Sequence, residues 1–181
     1  MQEGEASRRG ARIIDRMIGA ARLQVSTFED VEADRSATGQ AMLVVTVVAI
    51  ATGIGAAGGG VAGLLAGVAF AFVGWAAWAW LTYWVGTRLL PTPQTHADWG
   101  QLARALAFAQ SPGVFKVLGA VPGIGPLLFT VASVWQLVAM VIAVRQALDY
   151  ESTWRAVGVV VLAAIPYIVL LSFLARVLIP G

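Results

Sequence analysis

The chain has 181 residues, of which 59% are hydrophobic and 12% charged, and its formal net charge is +2. A soluble domain carries about 25% charged residues and at most about half apolar ones, and a body of this size cannot hide so much apolar surface from water. The composition therefore argues against an ordinary soluble enzyme. Cys is absent and His96 is the only His, so we expect no metal centre and no cofactor.

Residues 1–39 are predicted to form a cytoplasmic segment that contains an amphipathic helix. Six arginines are concentrated there, interleaved with acidic residues, and such a mixed surface does not predict a nucleic-acid partner. An apolar stripe recurs at helical spacing; its members are Ile13, Ile14, Met17, Ile18, Ala21 and Val25. Such a helix is typical of one lying in the membrane interface, and packing on the protein's own cytoplasmic loops is the alternative.

A second short helix is predicted in the stretch STFEDVEAD, where Ser26 and Glu29 fit a capping box. The acidic residues of this stretch are interpreted as a solvated face, since charge runs usually are. Metal binding by EDVEAD is the less favoured alternative.

Residues 40–181 are predicted to form the transmembrane domain, an all-α bundle. No charged residue occurs from Ala41 to Thr87, a run about twice the length that crosses a bilayer once, and Gly58-Gly59-Gly60 is its natural break. We predict five spans, near 41–57, 61–86, 101–121, 127–147 and 155–178. The third is ambiguous because it contains two cations, and four spans plus a re-entrant segment is the alternative. Pro112 is expected to kink this third segment.

Asp98 and Gln101 match a capping box that would open the third span. Arg104 lies six residues beyond Asp98, on a different face of the helix, so it needs another partner. A headgroup phosphate would make Arg104 a lipid anchor. A carboxylate of the FEDVEAD run, with Glu29 and Glu32 as candidates, would instead clamp the N-terminal segment onto the bundle.

The distribution of cations predicts the orientation in the membrane. The six N-terminal arginines place the N-terminus in the cytoplasm, and five spans then place the C-terminus outside. Eleven of the twelve cations are Arg and Asn is absent, a bias typical of a GC-rich bacterial genome. We therefore expect a multi-pass protein of the bacterial inner membrane.

No motif of the chain predicts catalysis. The glycines at 53, 55 and 58 match the dinucleotide fingerprint, but no acidic residue follows between Asp34 and Asp98 to bind a ribose, so no nucleotide is expected. We interpret the glycine-rich region, including Gly63 and Gly67, as close helix packing. His96 is expected to be exposed and inert, and we predict no catalytic residue.

Two stretches together resemble the bacterial branch of the Yip family, the Ypt/Rab-interacting membrane proteins. They are RMIGAARLQVSTFEDVEADRSATGQA and THADWGQLARALAFAQSPGVFKVLGAVPGIG followed by VWQLVAMVIAVRQAL. The resemblance implies five membrane helices, a cytoplasmic N-terminus and an action through protein contacts without an enzymatic reaction. A Rab-type partner does not carry over, because about 40 residues precede the first span here and the eukaryotic relatives use a longer region.

The first expectation is thus a non-enzymatic membrane protein that acts through protein or lipid contacts, as an accessory subunit or scaffold of a larger membrane complex. Its expected partners are the lipid bilayer and other membrane proteins. A small transporter or channel is the alternative. Coupled transport is not favoured, because no acidic residue or His lies deep in a predicted span, and passive conduction is favoured no more.

Overall fold

The structure is a bundle of α-helices. The computed structural model describes the backbone of residues 2–56 and 60–178 and the side chains of residues 12–56, 65 and 67–174. The described α-helices are α1 (Gln2–Ala21), α2 (Val25–Ala33), α3 (Thr38–Gly55), α4 (Gly60–Trp84), α5 (Trp99–Phe108), α6 (Gly125–Ala147) and α7 (Thr153–Leu178). A short 3-10 turn (Arg35–Ala37) precedes α3, a π-helical turn (Val85–Leu89) extends α4, and a 3-10 segment (Ser111–Ala120) follows α5.

Four helical stretches are long and apolar enough to cross a membrane. They are Arg35–Gly55, Gly67–Leu89, Gly125–Ala147 and Thr153–Leu174. Their outward surfaces carry large apolar side chains that water would not favour on this scale; examples are Leu43, Val73, Leu127 and Ile165. The prediction of an all-α membrane protein is confirmed, and α3 and α4 are separated at the predicted glycine-rich break.

The segment predicted as the third span is not one continuous helix. Helix α5 ends at Phe108, and the chain continues from Ser111 as the 3-10 segment. Pro112 lies in the first turn of that segment, where its missing N–H has no helical partner to lose. Pro112 therefore stands just after a helix break, and the expectation of a kink within a single helix is wrong.

Helix α5 forms the core of the bundle. Residues 102–109 are all buried, and Leu102, Leu106 and Phe108 have no exposed surface. Burying each of these large side chains contributes about 1.5–3 kcal/mol. The helix packs against α2, α3, α4 and α6, and the indole Nε1 of Trp75 in α4 donates to the carbonyl oxygen of Ala103 at 3.0 Å. Every neighbouring helix is thus positioned by α5.

The bundle has two chemically different ends. The polar end comprises α2, the 90–98 loop and the 148–152 loop. The hydroxyl of Tyr150 donates to the carbonyl oxygens of Gly86 and Leu90, at 2.9 and 2.7 Å. Gln146 Nε2 donates to the carboxylate of Glu29 at 2.9 Å.

The glycine end is defined by Gly55, Gly119 and Gly125. A Cβ at Gly55 would overlap the backbone carbonyl of Lys116, and one at Gly125 would overlap the carbonyl of Gly119. The last turns of α3 and of the 3-10 segment therefore touch through their backbones, beside the start of α6. Gly123, with a φ of 83°, makes a tight turn before α6, in a region of φ that favours glycine.

The close backbone approach does not occur at the glycine that the sequence singled out. Gly67 is exposed, and a Cβ there would meet nothing within 4 Å. Gly63 lies outside the residues whose surroundings the structure describes. Within the described part of the glycine-rich region, the predicted close packing occurs at Gly55, where two segments approach through their backbones.

Gly55→Ala should destabilise the protein, because the added methyl group meets backbone that cannot rotate away. Overpacking of this kind costs about 1–3 kcal/mol, which should lower the melting temperature in mild detergent by several degrees. Gly67→Ala is the matched control: it replaces a helical glycine in open space and should leave the melting temperature unchanged or raise it slightly. Equal melting temperatures for the two variants would contradict the close contact at Gly55.

Candidate functional site

Arg16 joins three elements at the polar end. Its guanidinium is buried and makes three side-chain hydrogen bonds: Nε to Asp30 at 2.7 Å, Nη2 to Asp34 at 2.7 Å and Nη1 to Gln40 at 2.9 Å. Asp30 belongs to α2, Asp34 precedes the 3-10 turn and Gln40 lies in α3. Because a guanidinium presents its donors in a fixed plane, these three acceptors set the orientation of α1.

Asp34 is the second centre of this network. Besides accepting from Arg16, it accepts from the backbone N–H and the hydroxyl of Ser36, at 2.9 and 2.6 Å. The hydrogen bonds from Ser36 and Arg16 lower the pKa of Asp34 to about 2. The carboxylate therefore stays ionised at physiological pH, and the cap that it gives the 3-10 turn is permanent.

Arg104 holds the end of α2 against the core. Its side chain is 6% exposed. Nε donates to the carbonyl oxygen of Val31 at 3.0 Å, and Nη2 donates to the carbonyl oxygen of Glu32. Both carbonyls lie in the last turn of α2, where helical carbonyls lack intrahelical partners and a cation is favoured by the helix dipole.

Arg104 therefore clamps the N-terminal segment onto the bundle, as one of the two predicted alternatives proposed. The expected carboxylate partner is wrong, because the acceptors are main-chain oxygens. The structure likewise does not place the guanidinium as a lipid anchor, since it is buried beneath α2.

Glu32, in the last turn of α2 beside the clamp, has a shifted pKa. Burial, together with the nearby charges of Asp149 and Glu29, raises the pKa of Glu32 to about 7, although the Arg104 cation opposes the shift. Within residues 12–56 and 67–174, no group of three or more His, Asp or Glu side chains could hold a metal ion. Ionised Glu32 is therefore unfavourable at the end of α2.

The capping box predicted for α5 is present, whereas the one predicted for α2 is not. Asp98 and Gln101 form the predicted capping box, with the Oε1 of Gln101 accepting from the backbone N–H of Asp98 at 2.8 Å. The box predicted for Ser26 is wrong, because α2 already begins at Val25 with Gln24 at its N-cap. Glu29 is therefore free to bind Gln146 of α6.

The apolar stripe predicted for α1 is partly packed on the bundle, through Ile13 and Met17, and partly exposed. Ile14 and Ile18 are exposed, at 57% and 44%, whereas Arg16 is buried. The helix ends against α6, where the Nε1 of Trp135 donates to the carbonyl oxygen of Ala21 at 2.8 Å. Val25, the last predicted member of the stripe, belongs to α2.

Sequence reasoning missed the roles of Arg16, Trp135 and Tyr150. Arg16 follows Asp15 directly and lies four residues after Arg12, so nothing in the local sequence distinguishes it from the exposed arginines nearby. The indole of Trp135 and the hydroxyl of Tyr150 both bind backbone carbonyls of distant segments. The residue types around those carbonyls do not predict the hydrogen bonds that they accept.

Comparison with protein families adds one finding. The Yip1 domain matches residues 23–174. The chain belongs to the Yip1 family. With its apolar helices, this makes it a multi-pass membrane protein.

The Yip1 match covers the clamp but not the whole N-terminal arm, which consists of α1 and α2. Arg104 and the helix that it holds, α2, lie inside the matched residues, whereas Arg16 and α1 precede them. Comparison with curated proteins gave no match, and comparison with solved structures gave none either.

The raised pKa of Glu32 predicts a pH dependence of stability in this Yip1 protein. A carboxyl whose pKa is higher in the folded state than its ordinary 4.5 destabilises the fold when ionised. The cost is full above about pH 7, declines as the pH falls toward 4.5 and is absent below it. Glu32→Gln should therefore raise the melting temperature at pH 8 and have little effect at pH 4.5.

The control for this experiment is Glu151→Gln, which removes an exposed carboxylate from the neighbouring loop. Its effect on the melting temperature should be small at both pH values. A Glu32→Gln effect of the same size at pH 8 and pH 4.5 would contradict the assignment.

Proposed function

We propose that this Yip1-family protein is a non-enzymatic scaffold or accessory subunit that binds other membrane proteins through its polar end. The observation that carries the proposal is the double attachment of α2, by Arg104 at its last turn and by Arg16 at Asp30. Phe28 and Val31, on the inner face of α2, are fully buried. The outer face of α2 is consequently a preformed surface, so a partner would not have to order it on binding.

The filled core supports this proposal over the transporter alternative. The side chains of α5 occupy the centre of the bundle and pack against α2, α3, α4 and α6. A conducting path along the bundle axis would have to displace buried Leu102, Leu106 and Phe108. Moving these side chains out of the core would remove the hydrophobic stabilisation that their burial provides.

We further propose five membrane passages, a cytoplasmic N-terminus and an outside C-terminus. The 99–120 segment begins beside α2 at the polar end and ends beside Gly55 at the glycine end, which supports its counting as a passage. Exposed tryptophans near the polar end, Trp80, Trp84, Trp99 and Trp154, are typical of a membrane interface. The arginine-rich N-terminus supports placing this end in the cytoplasm, and the composition supports a bacterial inner membrane.

A reporter active only in the cytoplasm tests the passage count. Fused after Gly181, it should be inactive, because five passages carry the C-terminus across the membrane. Inserted after Gln94, in the exposed 90–98 loop, the same reporter should be active. Strong activity after Gly181 would contradict five passages and support four.

The contact surface is tested by site-specific crosslinking, which suits a chain without native cysteine. A photo-crosslinker on Ser26→Cys, at the exposed start of α2, should capture a protein of defined mass in native membranes. The same label on Leu127→Cys, which is 65% exposed near the glycine end, should not capture that protein.

Loosening the arm gives the decisive comparison for the same experiment. Arg104→Lys keeps the charge but loses the two-donor fork, so the Ser26 adduct should decline. Arg88→Lys, an exposed arginine elsewhere at the polar end, should leave it intact. Solute flux by the purified protein in liposomes, without any protein adduct at Ser26, would contradict the scaffold and support the transporter.

A further inference from the structure

An apolar groove opens on the side of the bundle where α1 meets the 3-10 segment and α6. Its volume is about 390 Å³, and its walls include Ile14, Ile18, Phe115 and Trp135. Arg22 is the one charged residue among its lining residues, and Ser111 contributes a small polar side chain. This volume falls within the range of about 300–1,000 Å³ typical of small-molecule sites.

The walls of the groove are held in place by contacts already described for α1. The rings of Phe115 and Trp135 stack with centroids 5.5 Å apart and planes 9° apart. The indole N–H of Trp135 is satisfied by the carbonyl of Ala21, so this side chain adds apolar surface without an unpaired donor. Arg16 fixes the rotation of α1 and hence the direction in which Ile14 and Ile18 point.

The level of the groove along α6 indicates what surrounds it. The exposed apolar residues of α6 run from Leu127 to Val138, whereas none of residues 139–148 is exposed. Trp135 lies in the last turn of that exposed stretch. The groove is therefore continuous with the lipid-facing surface, close to where that surface ends toward the polar end.

Arg22 supplies a positive charge at this boundary. It is exposed, and both ion pairs found among the described side chains belong to Arg16. A cation beside an apolar groove at the edge of a lipid-facing surface is complementary to an anionic headgroup above an acyl chain.

We propose that the groove binds one acyl chain of an anionic membrane phospholipid, whose phosphate is bound by Arg22. A bilayer lipid reaches the groove laterally, without leaving the membrane, since the groove adjoins the lipid-facing surface of α6. This inference depends on the protein being in a membrane and not on the protein partner proposed above.

Native mass spectrometry of the detergent-solubilised protein tests the proposal. The probes are phosphatidylglycerol and phosphatidylcholine with identical acyl chains. The wild type should retain about one phosphatidylglycerol per chain in preference to phosphatidylcholine. Arg22→Gln should weaken retention of phosphatidylglycerol about fivefold, the effect of one arginine facing an anionic headgroup. It should weaken retention of phosphatidylcholine less, because the choline cation offsets the charge of the phosphate.

Two variants separate the groove from the general lipid surface. Ile18→Trp fills the groove and should reduce retention of phosphatidylglycerol, whereas Arg88→Gln removes a cation outside it and should not. Equal retention of the two lipids by the wild type, or equal effects of Arg22→Gln and Arg88→Gln, would overturn the proposal.

The rival occupant is a second copy of the chain. A protein with Ile18→Cys as its only cysteine should remain monomeric under mild oxidation in native membranes if lipid fills the groove. Efficient formation of a disulfide-linked dimer would overturn the lipid site and assign the groove to self-association.

Discussion

The carbonyl oxygens at the end of α2 need donors, and Arg104 supplies them from the centre of the bundle. A helix leaves its last four carbonyls without intrahelical partners, and the two beside Arg104 face the buried side of α2, where its guanidinium takes the place of water. Arg104 belongs to α5, whose residues 102–108 are all buried. The position of the N-terminal arm is thereby tied to the most buried helix of the molecule.

The same constraint is met at two other helix ends by long side chains from distant segments. Trp135 donates to the last residue of α1, and Tyr150 donates to two carbonyls at the end of the α4 helix and its π-helical turn. An indole or a phenol can do this while burying its ring. These donors connect elements that are far apart in sequence, so the helix ends serve as the joints of the fold.

The two ends of the bundle are held together by different kinds of interaction. At the glycine end, small residues let backbones touch, which joins α3, the 3-10 segment and α6 without polar groups. At the polar end, Arg16 and Arg104 supply directional hydrogen bonds that hold a solvent-facing helix on an apolar body. Burial and the charges of Asp149 and Glu29 raise the pKa of Glu32, so ionisation of Glu32 opposes folding at this end of the bundle.

Much of the fold follows from the sequence because composition and periodicity report burial directly. Four of the predicted spans and the capping box at Asp98 depend on residue types within a few positions of one another. The failures involve partners distant in sequence. The acceptors of Arg104 are main-chain carbonyls, which every residue carries, and Gly67 and Gly55 differ only in what packs against them. Just after the break, Gly113 packs closely against Val48 and Gln136, two residues distant in sequence that no local pattern identifies as its neighbours.

Hydrogen exchange measured by mass spectrometry on Arg104→Lys tests the central claim most directly. The loss of the two-donor fork leaves a carbonyl at the end of α2 without its partner, at about 1–3 kcal/mol. The amides of residues 25–40 should then exchange roughly tenfold faster or more, while those of α6 and α7 keep the wild-type rate. Arg88→Lys should match the wild type throughout. Unchanged exchange of residues 25–40 in Arg104→Lys would contradict the account and show that the arm is held without the clamp.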